Sequence, residues 1–319
     1  MENKICALSM YSKMLANKGI HVSEGELMMY GKGITFEYHY FSENTICNIN
    51  YAEDMYLIGM DDVKENLKEV GIYFQEKSFK TTEQQYRYIL KQLQTNEQMI
   101  VLIDSFYLDF SVNYKKHHSS YMVLGYAYEG GYVKMYTVDE EHQHISIDEN
   151  IFREMIWRQK HIGTNSYMGI IELISVEEKK LNKINIYSKE IAQKMLNDNE
   201  KQKGIDAITN LANEIMFWSD FLEESVAKRM FNSVYTCILS RGGPAISRKL
   251  YADMIESTEG KNEISSLMYE SSGLWNVISV KAFRLSRKID NEKVLELAKT
   301  MQDVFVVEKK VWEIINYGL

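Results

Sequence analysis

Two apolar spacings divide this chain. Up to residue 176, short apolar runs alternate with helical stretches; from 177 onward, helical periodicity dominates. Cys6, Ala7, Leu8, Met10, Tyr11, Met14 and Leu15 follow helical spacing and run into Gly19, which predicts an opening helix. Ser23 is placed to cap a second, short helix. Residues 34–40 alternate aromatic and polar positions, as a strand does. Helices are expected over 61–70 and 81–95, the latter capped by Thr82 with Gln85 three residues on. Continuous apolar runs at 98–104, 121–128 and 132–139 read as strands, the last two joined by Gly130-Gly131 in a hairpin. A helix over 148–158 and a strand over 168–176 complete this half. Breaks at 197–204, 241–244, 259–261 and 289–290 punctuate the helical half. The expectation is an α+β chain with two domains, 1–176 and 177–319.

Charge narrows the function. With 37 Lys and Arg against 45 Asp and Glu, the net charge is −8. Phosphate neutralisation needs a basic excess, so a general nucleic-acid partner is not expected. The three cysteines, Cys6, Cys47 and Cys237, form no CxxC pair and no disulfide framework. No apolar leader opens the sequence and no run approaches a membrane span. The expected setting is the reducing cytoplasm, with no membrane partner and free thiols.

The candidate chemistry starts at Cys6. A thiol at a helix N-terminus faces free N–H groups and the positive end of the helix dipole, which favour the nucleophilic thiolate. His117 and His118 stand just before the strand at 121–128, and Asp139 ends the next strand. In an antiparallel hairpin those two ends lie side by side. A histidine and Asp139 are therefore expected to meet as a base and its orienting carboxylate. A buried structural Cys6, solvated histidines and simple turn formers at Ser119 and Ser120 are the plain alternative. His39, His142 and His144 show no metal-ligand spacing with the cysteines.

Several stretches together resemble a known family. They are Cys6-Ala-Leu through Leu15, Ser23-Glu-x-x-Leu27, Gly31-x-Gly33-x-x-Phe36-x-Tyr38, Val101-x-x-Asp104-x-x-Tyr107-Leu108, His118 with Val123-x-Gly125-Tyr126, and Tyr136-x-x-Asp139. In the helical half, Gly242-Gly-x-x-x-x-Arg248-x-Leu-Tyr251 and Trp275 extend the match. Their order resembles papain-like cysteine enzymes, and more closely the butirosin biosynthesis protein H family. It also resembles an amide-forming papain-like enzyme of closthioamide-type thiotemplated biosynthesis. Two positions depart from the pattern: Ile5 stands where the family often has His, and no Gln precedes Cys6 to serve as an oxyanion donor. The Cys6 backbone N–H is the remaining candidate for that task.

The resemblance implies a papain-like catalytic domain followed by a helical domain that contacts substrate or carrier. It implies an acyltransferase in nonribosomal antibiotic biosynthesis, with Cys6, His118 and Asp139 as catalytic residues and His117 as the alternative base. Tyr38, Tyr107, His117 and Trp275 are the candidate substrate-contacting residues. No bound cofactor is implied; phosphopantetheine arrives on an acyl or peptidyl carrier protein. The other partner is an amine, small or carrier-bound, and a homodimer is compatible with the reading. A cysteine peptidase or amidase using the same residues, and an inactive papain-like binding protein, stay open.

Overall fold

The computed structural model describes residues 6–41, 54–60, 63–139, 141–159, 169–177, 184–198, 200–240 and 242–318. In chain order the first elements are α1 (Cys6–Ala16), α2 (Glu24–Tyr30), β1 (Ile34–Phe41), β2 (Asp54–Met60), α3 (Lys64–Leu67), β3 (Ile72–Ser78), α4 (Thr82–Gln94) and β4 (Met99–Asp104). Then come β5 (Ser120–Glu129), β6 (Tyr132–Tyr136), β7 (His144–Asp148), α5 (Glu149–Gln159) and β8 (Gly169–Val176). Among the described residues there follow α6 (Ile184–Asn197), α7 (Gly204–Ile215), α8 (Trp218–Phe221), α9 (Glu224–Leu239), α10 (Pro244–Glu259), α11 (Glu263–Arg287) and α12 (Asn291–Tyr317). The chain is α+β, with an antiparallel sheet and a helical C-terminal part. Among the described residues no helix is long and apolar enough to cross a membrane.

Local chemistry accounts for most boundaries. Ser23 caps α2 in a full capping box with Glu26. Gly130 and Gly131 take φ of +59° and +84°, the pair of positive values that a tight β5–β6 hairpin needs. Thr81, not Thr82, caps α4, its hydroxyl accepting from the Gln84 N–H. Three strands were not expected from the sequence: β2, β3 and β7. Each has only five to seven residues. In place of one helix over 61–70 there is α3 and a short 3-10 turn.

The chain forms two compact units, residues 1–22 with 67–180 and residues 23–66 with 181–319. The first unit holds a six-stranded sheet in the order β3-β8-β4-β5-β6-β7, every neighbouring pair antiparallel. Residues alternate between its faces. Val101, Ile103, Val123, Val133 and Met135 form one core with Ile89 and Leu93 of α4 and Phe152, Met155 and Ile156 of α5. By the same alternation Ile100, Asp104, Leu124 and Tyr136 belong to the opposite face. There α1 lies: Tyr11 packs on Phe74 and the Lys13 ammonium sits over the Tyr136 ring.

The second unit contains the β1–β2 hairpin as well as helices α6 to α12. Arg248 on α10 joins them. It is fully buried, pairs bidentately with buried Glu308 of α12, and donates to the backbone carbonyls of Thr35 and Gly59. Glu308 also accepts from Ser271 (2.7 Å) and from the Trp275 indole (2.9 Å). Gly59 rests directly on the helical part, for a Cβ there would lie 2.3 Å from the Pro244 nitrogen. Phe36 of β1 stacks on Trp275 at 5.3 Å.

Burial opposes the charge on Glu308, but Arg248 and the converging donors hold its carboxyl below the ordinary 4.5. A lowered native pKa stabilises the fold above the unfolded value and loses that contribution as pH falls. Glu308→Ala strands a buried guanidinium and should cost about 3–5 kcal/mol in urea unfolding at neutral pH. The wild-type protein should lose the contribution of the lowered carboxyl as pH falls below about 4.5. A loss under about 1 kcal/mol in the variant would remove the ion pair from its structural role.

Candidate functional site

The end of the sheet where β4 stops and β5 starts carries the polar residues. β4 and β5 pair from Met99↔Gly125 to Asp104↔Ser120. His118 lies two residues before Ser120, so this register sets it beside Asp104. The His118 Nδ1 and Asp104 Oδ2 are 2.6 Å apart. Asp104 is fully buried, whereas the His118 side chain is 44% exposed. The other Asp104 oxygen accepts the backbone N–H groups of Phe106 (3.0 Å) and Ser119 (3.3 Å). A carboxylate only accepts, so in the neutral imidazole the proton sits on Nδ1. The Phe106 ring stacks on the imidazole at 4.3 Å and 18°. Rotation of His118 is thus restrained both at its edge and on its face.

The loop between β4 and β5 is braced from within. The Ser105 N–H and hydroxyl both donate to the Ser119 carbonyl, at 2.8 and 2.9 Å. Asn113 donates its amide to the Ser105 hydroxyl, and the Lys115 N–H returns to the Phe106 carbonyl. Lys115 takes φ +51°, a left-handed backbone that non-glycine residues seldom adopt. These closures hold Phe106 and His118 in one assembly.

The placement of α1 bears on Cys6. Asn17, just past its end, donates its side-chain amide to Gln98, just before β4. Asp104 lies six residues along β4 from Gln98, about 20 Å at strand rise. Cys6 lies eleven residues before Asn17, about 16 Å at helical rise. The helix shares a sheet face with Asp104 and is anchored at the opposite end. The Cys6 backbone opens α1. The Cys6 side chain and residues 1–5, with Asn3, lie outside the described residues.

Asp139 does not orient His118. It ends no strand: β6 stops at Tyr136, and the chain then turns tightly into β7. Within that turn Asp139 Oδ1 accepts from the Glu141 and His142 N–H groups and meets His142 Nδ1 at 2.9 Å. The strand-end argument was sound, but β5 has two neighbours, and β4 supplies the carboxylate. Asp104 already stood at the end of the expected strand over 98–104, and that was the available signal.

The remaining candidates divide. His117 is exposed, and its N–H closes a turn on the Asn113 carbonyl. Tyr107 packs edge-on against Phe106 at 5.2 Å, beside the imidazole stack. Tyr38 and Trp275 are interior residues of the second unit, both with zero exposure. The Trp275 N–H donates to Glu308, and Tyr38 packs between Phe36 and Tyr40, so both side chains belong to the interior of that unit. Among the described residues no group of three or more His, Cys, Asp or Glu is placed to hold a metal.

Residues 5–140 match the family model for the N-terminal domain of butirosin biosynthesis protein H. Residues 174–315 match a domain of unknown function (DUF4872). No curated protein matches the chain. The first match spans every element of the Asp104–His118 assembly and α1.

Removing the Asp104 carboxylate leaves two backbone N–H groups without their acceptor. Asp104→Ala should cost at least about 2 kcal/mol in chemical denaturation. In a histidine-selective NMR spectrum, the His118 ring signals should move more than those of any other histidine. An unchanged His118 spectrum would show that Asp104 does not hold the ring.

Proposed function

Because residues 5–140 match the family model for the N-terminal domain of butirosin biosynthesis protein H, we propose that the chain is a cysteine-dependent acyltransferase that forms amides in thiotemplated antibiotic biosynthesis. The first unit then corresponds to a papain-like catalytic domain. The acyl donor is a phosphopantetheine thioester on a carrier protein, and the acceptor is an amine. The observation that supports this reading is the 2.6 Å contact of His118 with fully buried Asp104, within a family-model match that also spans Cys6 at the start of α1.

The chemistry runs in two halves. His118 Nε2 takes the Cys6 proton, and the thiolate attacks the donor carbonyl. The C–S bond to pantetheine breaks as His118 returns the proton to the leaving thiol. An amine then attacks acyl-Cys6, its proton passes through His118 to the Cys6 sulfur, and the amide leaves. Amide formation from a thioester is downhill, so no nucleotide is consumed. Asp104 keeps the imidazole in the productive tautomer and stabilises the imidazolium. The helix-start N–H of Cys6 is the candidate donor to the oxyanion. Water must be kept from the acyl-enzyme for the amine to win.

Amide release from an acyl-pantetheine thioester and an amine tests this assignment. Cys6→Ala should abolish it. His118→Ala and Asp104→Asn should each cost roughly 10²-fold or more in kcat with a smaller change in KM, as loss of a base or its orienter does. His117→Ala should cost far less than His118→Ala. Retained turnover in Cys6→Ala, or hydrolysis of a pantetheine-free amide at a comparable rate, would replace the reading with another enzyme class.

A further inference from the structure

The chain carries 45 Asp and Glu, yet two helices of its second unit are nearly without them. The longest stretch lacking both runs from Ser225 to Ala252, and another runs from Ser271 to Ile289. The first covers α9 after its opening Glu224, and the second covers α11 from its third turn onward. These two helices pack together, with the Tyr235 and Phe283 rings 5.0 Å apart. Val277, Val280, Arg284 and Arg287 recur at three and four residues and so share one side of α11. All four are exposed, as are Phe283 beside them and Leu239, one turn beyond Tyr235 on α9. The Arg287 guanidinium lies over the Phe283 ring at 5.0 Å.

Three carboxylates at the margins of this face meet other bases. Glu224 pairs with Lys228 at 2.6 Å, Glu296 of α12 with Lys281 at 3.8 Å, and Asp290 with Lys293 at 4.0 Å. Cations in a last turn complement the helix dipole, and that accounts for Arg284 and Arg287. It does not account for Val277, Val280, Phe283 and Leu239, left open to water in the same place. Apolar residues gathered on a surface and rimmed by charge mark an interaction site.

The strip from Val277 to Arg287 is about 15 Å long at helical rise, roughly three turns. That is the length over which a partner helix lays down its own apolar stripe of anchors. The charge selects the partner's sign. A second copy of this chain would set like charges against each other across a two-fold axis. An acidic helix would instead find cations at one end of the strip and apolar contact along it. We propose that the α9–α11 face docks an acidic amphipathic helix of the carrier protein that delivers the acyl group. This rests on the acyltransferase reading above. The face contributes affinity and selection of the carrier, and takes no part in bond making.

Binding and turnover test this separately. The binding probe is a fluorescein-labelled acyl carrier protein with an acidic helix, bearing pantetheine but no acyl group, followed by anisotropy. Arg284→Glu with Arg287→Glu should weaken binding about tenfold or more, and added salt should weaken the wild-type complex. Val277→Ser with Val280→Ser, which leaves the charge intact, should weaken it about threefold or more. In turnover, the arginine pair should raise KM about tenfold for the carrier-bound thioester and change the rate with free acyl-pantetheine less than about twofold. Unchanged affinity in both double variants, a salt-insensitive complex, or equal loss with both donors would overturn the proposal. So would wild-type binding to phosphatidylglycerol vesicles, lost in the same variants, with no affinity for the carrier. If free acyl-pantetheine is not turned over at all, the acyltransferase reading has failed, while the anisotropy measurement still decides this one.

Discussion

Buried Asp104 is the constraint on which the functional end of the sheet is built. A carboxylate without solvent must find donors or give up its charge. This one finds three, in the Phe106 and Ser119 N–H groups and the His118 ring. The first two pin the two ends of the β4–β5 loop, and the third fixes the imidazole. The same bonds position Phe106 for its stack on His118. One buried carboxyl group thereby sets both the loop path and the orientation of the ring.

The second unit uses a buried charge differently. Arg248 and Glu308 join segments far apart in sequence, and the guanidinium ends on the backbone of the β1–β2 hairpin. Such a pair is weak evidence of net stability but strongly penalises any arrangement that leaves one partner alone. It therefore specifies where the hairpin packs. The match to the butirosin biosynthesis protein H N-terminal model runs through that hairpin, so the family segment and the structural unit do not share a boundary.

What the sequence revealed follows from how local each cause is. The β5–β6 hairpin was legible because two glycines meet a positive-φ requirement on the spot. The α2 cap was legible for the same reason, since Ser23 and Glu26 act within one turn. The place of His118 was legible too: it stands just before a strand start, where the sheet register brings it to a carboxyl group. Its carboxylate was misassigned because strand order lies outside local pattern, and both Asp104 and Asp139 follow apolar runs. Trp275 and Tyr38 looked like substrate contacts because aromatic residues serve cores and sites alike. Only the Glu308 network, brought together over long separations, places Trp275 inside.

Papain-like chemistry is one proposal among the activities a thiol and an imidazole can share, and all of them turn on whether Cys6 carries the acyl group. The most direct measurement is peptide mapping by mass spectrometry after brief exposure of the protein to an acyl-loaded carrier protein without amine. The account predicts one acyl adduct on the peptide that contains Cys6, absent from Cys6→Ala and discharged into an amide when amine is added. An adduct on Cys237 instead, or none on the Cys6 peptide while amide still forms, would contradict it.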